Sequence, residues 1–292
     1  MTRILLLVIV LWTSAELHAQ LPSTELFILD YELEGDTLYF DNPVELSGFN
    51  NPGYNNQPSF FDENNLYITS NKYDRLKTDI IRLDLSGEQY YQITETVESE
   101  FSPTLSPDPR FFSAVRIERD GSDQSLWLYP MDRSNYGRRL LESLDNVGYH
   151  CWLSEDEVAL FLVESPIKLA IGNVRTGEVS KIAENIGRCI RLTSNGELII
   201  VSKTSDADWY LKSYDLLTKR FKILGKTLPG SEDFEVLADD SIIMASGSKL
   251  YRFKVSGNDT RWDEMDDFSD LGITSITRLA LSATKLVLVT NP

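Results

Sequence analysis

From Gln57 to the C-terminus the chain repeats one alternation: a short apolar strand, an acidic or Asn/Gly turn, then a second apolar strand. P-S-F-F-D-E-N-N-L-Y-I-T-S at 58 to 70 and P-T-L-S-P-D-P-R-F-F-S-A-V at 103 to 115 show it most plainly. The turns recur near Phe61, Ser106, Ser154, Thr193, Ala238 and Ser282, at spacings of 45, 48, 39, 45 and 44 residues. Helical periodicity is missing, and no Ser/Gly/Pro-rich linker interrupts the series. A near-constant period of this size predicts one four-stranded sheet per unit, and so an all-β, six-bladed β-propeller.

Five blades are expected in order, over about Pro58 to Thr96, Ser102 to Ser143, Cys151 to Asn185, Ile190 to Thr227 and Glu235 to Asp267. The sixth has to be shared. Residues Glu25 to Ser47 form two apolar runs split by Glu34-Gly35-Asp36, the signature of a hairpin. The last residues, I-T-S-I-T-R-L-A-L-S-A-T-K-L-V-L-V-T-N-P, make a second strand pair around Ala283-Thr284. Joined, the C-terminal pair as inner strands and the N-terminal hairpin as outer strands complete one blade and leave no open edge.

The first segment stands apart from this pattern. Arg3, the apolar run Ile4 to Trp12 and the small, polar stretch T-S-A-E-L-H-A-Q predict a secretory signal over residues 1–19, cleaved after Ala19. Residues 20–292 are then a single propeller domain, periplasmic or secreted. No Cys follows the apolar run to take a lipid anchor, and no later run is long enough for a membrane span. A net charge of −17 disfavours nucleic acid and anionic headgroups as partners. Solubility in an exported protein accounts for that charge.

Several of these residues resemble the WD40-like repeats of TolB-type propellers. S-P-D-P at 106 to 109 is similar to that family's S-P-D-G turn, and E-F-S-P-T-L-S-P-D resembles the strand leading into it. G-Y-N-N-Q-P-S-F at 53 to 60 and T-D-I-I-R-L-D-L at 78 to 85 follow the same style. The resemblance implies an exported propeller. It implies no reaction. TolB carries an additional α/β domain before its propeller, and the 37 residues between Ala19 and Gln57 leave no room for one.

Catalytic chemistry is poorly provided for. The chain has two histidines, and His150 alone remains once the signal is removed, with no G-x-S-x-G elbow to accompany it. Cys151 and Cys189 with one His cannot build a closed zinc site, and D-E-M-D-D-F-S-D at 263 to 270 lacks the central Gly of an EF-hand and reads as a solvated turn. No cofactor is expected. Export makes a Cys151–Cys189 disulfide conceivable, although the two positions fall out of phase on successive strands. Trp127, Trp152 and Trp209 lie on strands and read as inter-blade core.

The residues just before each inner strand carry more information, because a propeller aims them at its channel mouth. Alignment on the turns selects Asn55, Gln57, Glu100, Tyr149, His150, Arg188, Glu232, Asp233 and Arg278. Polar groups of both signs with an aromatic ring can orient a small ligand, or can simply bond one another. The sequence thus points to a monomeric, non-catalytic propeller binding an envelope peptide, protein or small ligand at this mouth. Two alternatives stand beside it: a hydrolase or lyase using Glu100, Glu232 and Asp233 as acid and base, and a structural module of an envelope assembly.

Overall fold

Each repeat folds as an antiparallel sheet because its apolar runs are short and its turns begin with a residue that can cap them. The Asp62 carboxylate accepts the backbone N–H groups of Asn64 and Asn65, both at 2.8 Å, and so reverses the chain within four residues. Asp84, Asn173 and Asp215 cap other turns in the same way. The computed structural model describes residues 21–292 except 36, 120, 122 and 256–260. The expected signal segment lies outside the described residues.

The chain enters through a hairpin, β1 (Glu25–Glu34) and β2 (Thr37–Glu45). The first blade follows as β3 (Asn55–Phe60), β4 (Asn65–Ser70), β5 (Asp79–Asp84) and β6 (Gln89–Gln92), and the second as β7 (Ser99–Leu105), β8 (Phe111–Ile117), β9 (Gln124–Pro130) and β10 (Arg138–Arg139). The third is β11 (Val147–Trp152), β12 (Glu157–Leu162), β13 (Lys168–Asn173) and β14 (Val179–Glu184). β15 (Ile186–Leu192), β16 (Glu197–Lys203), β17 (Trp209–Asp215) and β18 (Arg220–Lys226) make the fourth. The fifth is β19 (Phe234–Val236), β20 (Ile242–Ser246), β21 (Lys249–Phe253) and β22 (Trp262–Asp267), and the chain ends with β23 (Ile276–Leu281) and β24 (Lys285–Thr290).

Six four-stranded sheets result, and the sixth has the order β2-β1-β24-β23. β1 runs antiparallel to β24 from Glu25 opposite Thr290 to Asp30 opposite Lys285. The ring therefore closes as the sequence predicts, with the two ends of the chain in one blade. Six apolar clusters hold it together, one between each pair of neighbours. Leu26, Ile28, Val287 and Val289 of the closing blade meet Leu66, Ile68 and Ile81 of the first. On the other side Leu29, Leu286 and Leu288 meet Ile243 and Leu250 of the fifth. The four remaining clusters repeat the pattern around the ring. Middle strands are buried on both faces, so β4 and β12 carry consecutive buried residues, Leu66 to Ser70 and Val158 to Leu160, in place of a strict alternation.

Two expectations need correction. Residues 263 to 270 are the outer strand β22 running into a 3-10 turn at Phe268–Leu271, and not a solvated turn. Met265 and Phe268 dip into the apolar cluster beside the closing blade, and Lys249 faces Glu264 and Asp267, so the acidic run is paired along one edge. Inner strands also start earlier than the turns suggested. Five of the six carry a register shift near the mouth, between Asn56 and Ser59, Phe101 and Thr104, Val147 and Tyr149, Ile186 and Ile190, and Ile276 and Arg278. Such bulges re-aim the side chains beside them and bend the strand toward the channel.

Candidate functional site

The inner strands surround a cavity of ≈ 260 Å³ bordered by Gln57, Tyr149, His150, Arg188, Asp233 and Arg278, among others. Six of the nine residues selected from the sequence thus share one space. Glu232 sits beside it, in a polar recess at the mouth between the fifth and closing blades that Arg188, Asp233 and Arg278 also line. Asn55 and Glu100 point elsewhere. Asn55 is fully buried at the start of β3, where Asn50 and Ser70 donate to its Oδ1 and its Nδ2 donates to Thr24 and Asn50 carbonyls. Glu100 lies between the first and second blades, accepting from Thr96 Oγ1 at 2.5 Å and Tyr129 Oη at 3.4 Å. Its Oε2 has no partner, and burial pushes its carboxyl up to about 7.

Charged groups at the mouth interlock across the ring. Arg188 Nε and Nη2 reach Asp233 Oδ2 at 2.6 and 2.5 Å, and Nη2 also donates to the Thr277 carbonyl at 3.1 Å. The Glu232 carboxylate accepts from Lys203 at 2.7 Å and from the Arg188 backbone N–H at 3.1 Å. Gly187 makes that approach possible, since a Cβ there would meet Glu232 Oε2 at 3.0 Å. Arg278 Nη2 donates to Tyr149 Oη at 2.7 Å. The third and closing blades stand on opposite sides of the six-membered ring, so this bond spans the mouth.

Burial alone would lower the Arg278 guanidinium, and the neighbouring Asp233, Tyr149 and Tyr54 more than offset it, holding the group charged. Burial pushes the Tyr54 phenol up to about 12, so it remains a neutral hydroxyl beside these cations. Deeper in the channel, Arg191 grips both oxygens of Glu235, Nε to Oε2 at 2.8 Å and Nη2 to Oε1 at 2.6 Å. Turn-based alignment misses Arg191, Glu235, Lys203 and Tyr54. The first two were open to detection, because they follow Arg188 and Asp233 by three and two positions on neighbouring inner strands.

His150 bridges to the second blade, its Nε2 2.7 Å from Ser113 Oγ. Burial alone brings its ring down to about 3, which keeps it neutral at physiological pH. Both cysteines are free thiols, and burial raises each, Cys189 to about 12. No disulfide joins them. Trp127, Trp152 and Trp209 pack against inter-blade clusters, with Lys203 4.1 Å over the Trp209 ring. Among the described residues no group of three His, Cys, Asp or Glu side chains could hold a metal, and no helix is long and apolar enough to cross a membrane.

A ring of six four-stranded blades closed by both ends of the chain defines a six-bladed β-propeller, and comparison with solved structures places its architecture with the TolB-type propellers. A protein described as TolB from Agrobacterium tumefaciens is 9% identical and superposes with a TM-score of 0.67, over 92% of this chain and 98% of that one. TolB from Acinetobacter baumannii is 12% identical with a TM-score of 0.60, over 92% of this chain and 64% of the other. Oligogalacturonate lyase in complex with manganese is 14% identical with a TM-score of 0.54, over 88% and 83%. No family model matches the sequence, and no curated protein does. These likenesses concern the fold.

Proposed function

We propose that the protein is an exported propeller that binds a peptide or a protein segment at the mouth of its channel and leaves it chemically unchanged. One observation carries this reading: charged and phenolic side chains from the third, fourth, fifth and closing blades converge on one cavity and its adjoining recess. Such a preformed, polar, partly apolar hollow orients a ligand through a few fixed groups. The likeness to TolB supports a binding role, and the signal-like residues 1–19 support export to the periplasm or beyond.

An acid–base enzyme is the weaker reading. Its three carboxylates do not meet: Glu100 is buried between blades, while Glu232 and Asp233 are committed to Lys203, Arg188 and Arg278. Ser113, the one hydroxyl against His150, is fully buried and cannot reach a substrate. Arg188→Ala and Glu232→Ala proteins compared with wild type in pull-downs from envelope extract test the binding face. We expect both variants to lose a partner that wild type captures; identical captured sets would overturn the assignment of the mouth.

A further inference from the structure

Charged side chains in the channel are matched to one another. Arg188, Arg191 and Arg278 face Glu232, Asp233 and Glu235 around the cavity and its recess, three cations against three carboxylates. Arg191 holds both oxygens of Glu235, and Arg188 and Arg278 divide the two oxygens of Asp233. Glu232 accepts from the Arg188 backbone N–H and from Lys203, which lines neither space. An ionised group entering here would stand without a counter-charge or have to break one of these pairs, and either costs free energy in a site partly withdrawn from water. The channel therefore suits an uncharged guest.

A neutral donor on the same wall is unspent. Gln57 Oε1 accepts from the Ser102 backbone N–H at 2.9 Å and from Thr69 Oγ1 at 2.8 Å, which ties the first blade to the second. The amide cannot be turned over, because Nε2 in that place would set N–H against N–H. Among the described residues Nε2 has no hydrogen-bond partner, and it is not a buried atom. Gln57 borders the cavity. Its tie to Ser102 uses the oxygen alone, and a carboxylate would serve there as well, so the two N–H groups of the amide are left for a guest. Tyr149 borders the same cavity: its Oη accepts from Arg278 Nη2 at 2.7 Å, and among the described residues its own proton has no acceptor.

We propose that the channel cavity receives an uncharged amide group, with Gln57 Nε2 as the anchoring donor to its carbonyl oxygen and the Tyr149 hydroxyl as a second. The inference rests on the reading that the mouth binds a peptide or protein segment. It narrows what enters the cavity to a main-chain amide or the carboxamide of an Asn or Gln, and turns away chain ends and ionised side chains. An amide carbonyl is the strong neutral acceptor that peptides carry, and its two lone pairs can serve two donors. Phe60, Ile190 and Leu279 also border the cavity and suit the apolar atoms beside such a group.

Propionamide, N-methylpropionamide, propionate and propylammonium, small probes built on one carbon chain, test this on the intact protein. A Gln57→Glu spectrum identifies the Gln57 side-chain N–H signals in proton–nitrogen NMR, and the Ser102 backbone amide reports whether the tie between blades survives in that variant. An amide probe should shift the Gln57 signals saturably, while both ions bind more weakly by roughly tenfold or more. Gln57→Glu keeps the acceptor for Ser102 and removes Nε2, and should weaken the amide by roughly tenfold, about the worth of one hydrogen bond, as followed at the Ser102 amide. A response to N-methylpropionamide assigns the guest to a main-chain amide, and a response to propionamide alone assigns it to an Asn or Gln side chain. No saturable shift from either amide through the millimolar range, an ion binding as tightly as the better amide, or unchanged affinity in Gln57→Glu would each overturn the proposal. If Gln57→Glu does not fold, through-bond assignment of wild type replaces it and the amide–ion comparison decides alone. Envelope pull-downs answer separately: capture of a partner without amide binding removes only this inference, and amide binding without a captured partner removes only the protein-partner reading.

Discussion

Removing the N-terminal hairpin is the severest test of how the ring closes. A chain starting at Gly48 keeps five complete blades and loses β1 and β2. Leu26, Ile28, Leu29 and Leu38, all in that hairpin, are 0%, 8%, 3% and 6% exposed. At roughly 1.5–3 kcal/mol for each fully buried apolar side chain, the four contribute about 6–12 kcal/mol, an upper figure because unfolded chains already bury some surface. That rivals the whole stability of a typical domain, about 5–15 kcal/mol. The deletion also takes away the Asp30–Lys285 ion pair at 2.7 Å and the bond from Tyr31 Oη to the Ser282 carbonyl at 2.9 Å. It bares the β24 edge from Lys285 to Thr290, an invitation to strand pairing between molecules. Light scattering coupled to gel filtration should find an oligomeric or insoluble product, and calorimetry no cooperative transition. A monomer that melts cooperatively would refute the reasoning and make the hairpin an appendage.

Other consequences are smaller and sharper. Glu100 has a native value of about 7 against an ordinary 4.5, so the folded state binds more protons than the unfolded one between those values and stability falls as pH rises through them. Glu100→Gln should therefore be more stable than wild type at pH ~8, by on the order of 3 kcal/mol, and nearly equal at pH ~4, as read by urea melts. Glu63 ties the first blade to the closing one, accepting from Ser282 Oγ, Ala283 N and Thr284 Oγ1 at 2.8, 2.8 and 2.7 Å. Burial raises its carboxyl, but these bonds together with Lys285 bring it below the ordinary 4.5. Glu63→Gln should lower Tm by a few degrees, about 1 kcal/mol, with the difference complete above pH 4.5 and shrinking as pH falls through the native value. Both thiols should react with a disulfide reagent slowly in native protein and at once in denaturant, giving two per chain under non-reducing conditions; any lower count would mean a disulfide.

Strand order and closure were legible because the turn anchors repeat and because neither terminal strand pair makes a blade alone. The channel was legible only in part. Its phase depends on where each inner strand bulges, and a bulge is a backbone event with no residue signature in this chain: Gln57 and Ser102 take it up at φ 54° with ordinary side chains. Asn55 and Glu100 were misplaced for that reason. A position counted back from a turn shifts face when one extra residue intervenes. Glu100 looked like a channel acid because polarity in the sequence does not distinguish a channel from the gap between two blades. Arg191 and Glu235 escaped for the opposite reason, lying further down the inner strands than a count from the mouth extends.

Site-directed photocrosslinking gives the most direct answer about the mouth. Pro229 is exposed and lines the recess beside Glu232, whereas Ile223 is exposed on the outer strand β18, on the rim of the ring. With benzoylphenylalanine at each position in turn and illumination in envelope extract, the protein should form a defined adduct from 229 and none from 223. The Arg188→Ala background should abolish that adduct. Equal adducts from both positions, or an adduct from the rim alone, would contradict the claim that the channel mouth is where this propeller binds.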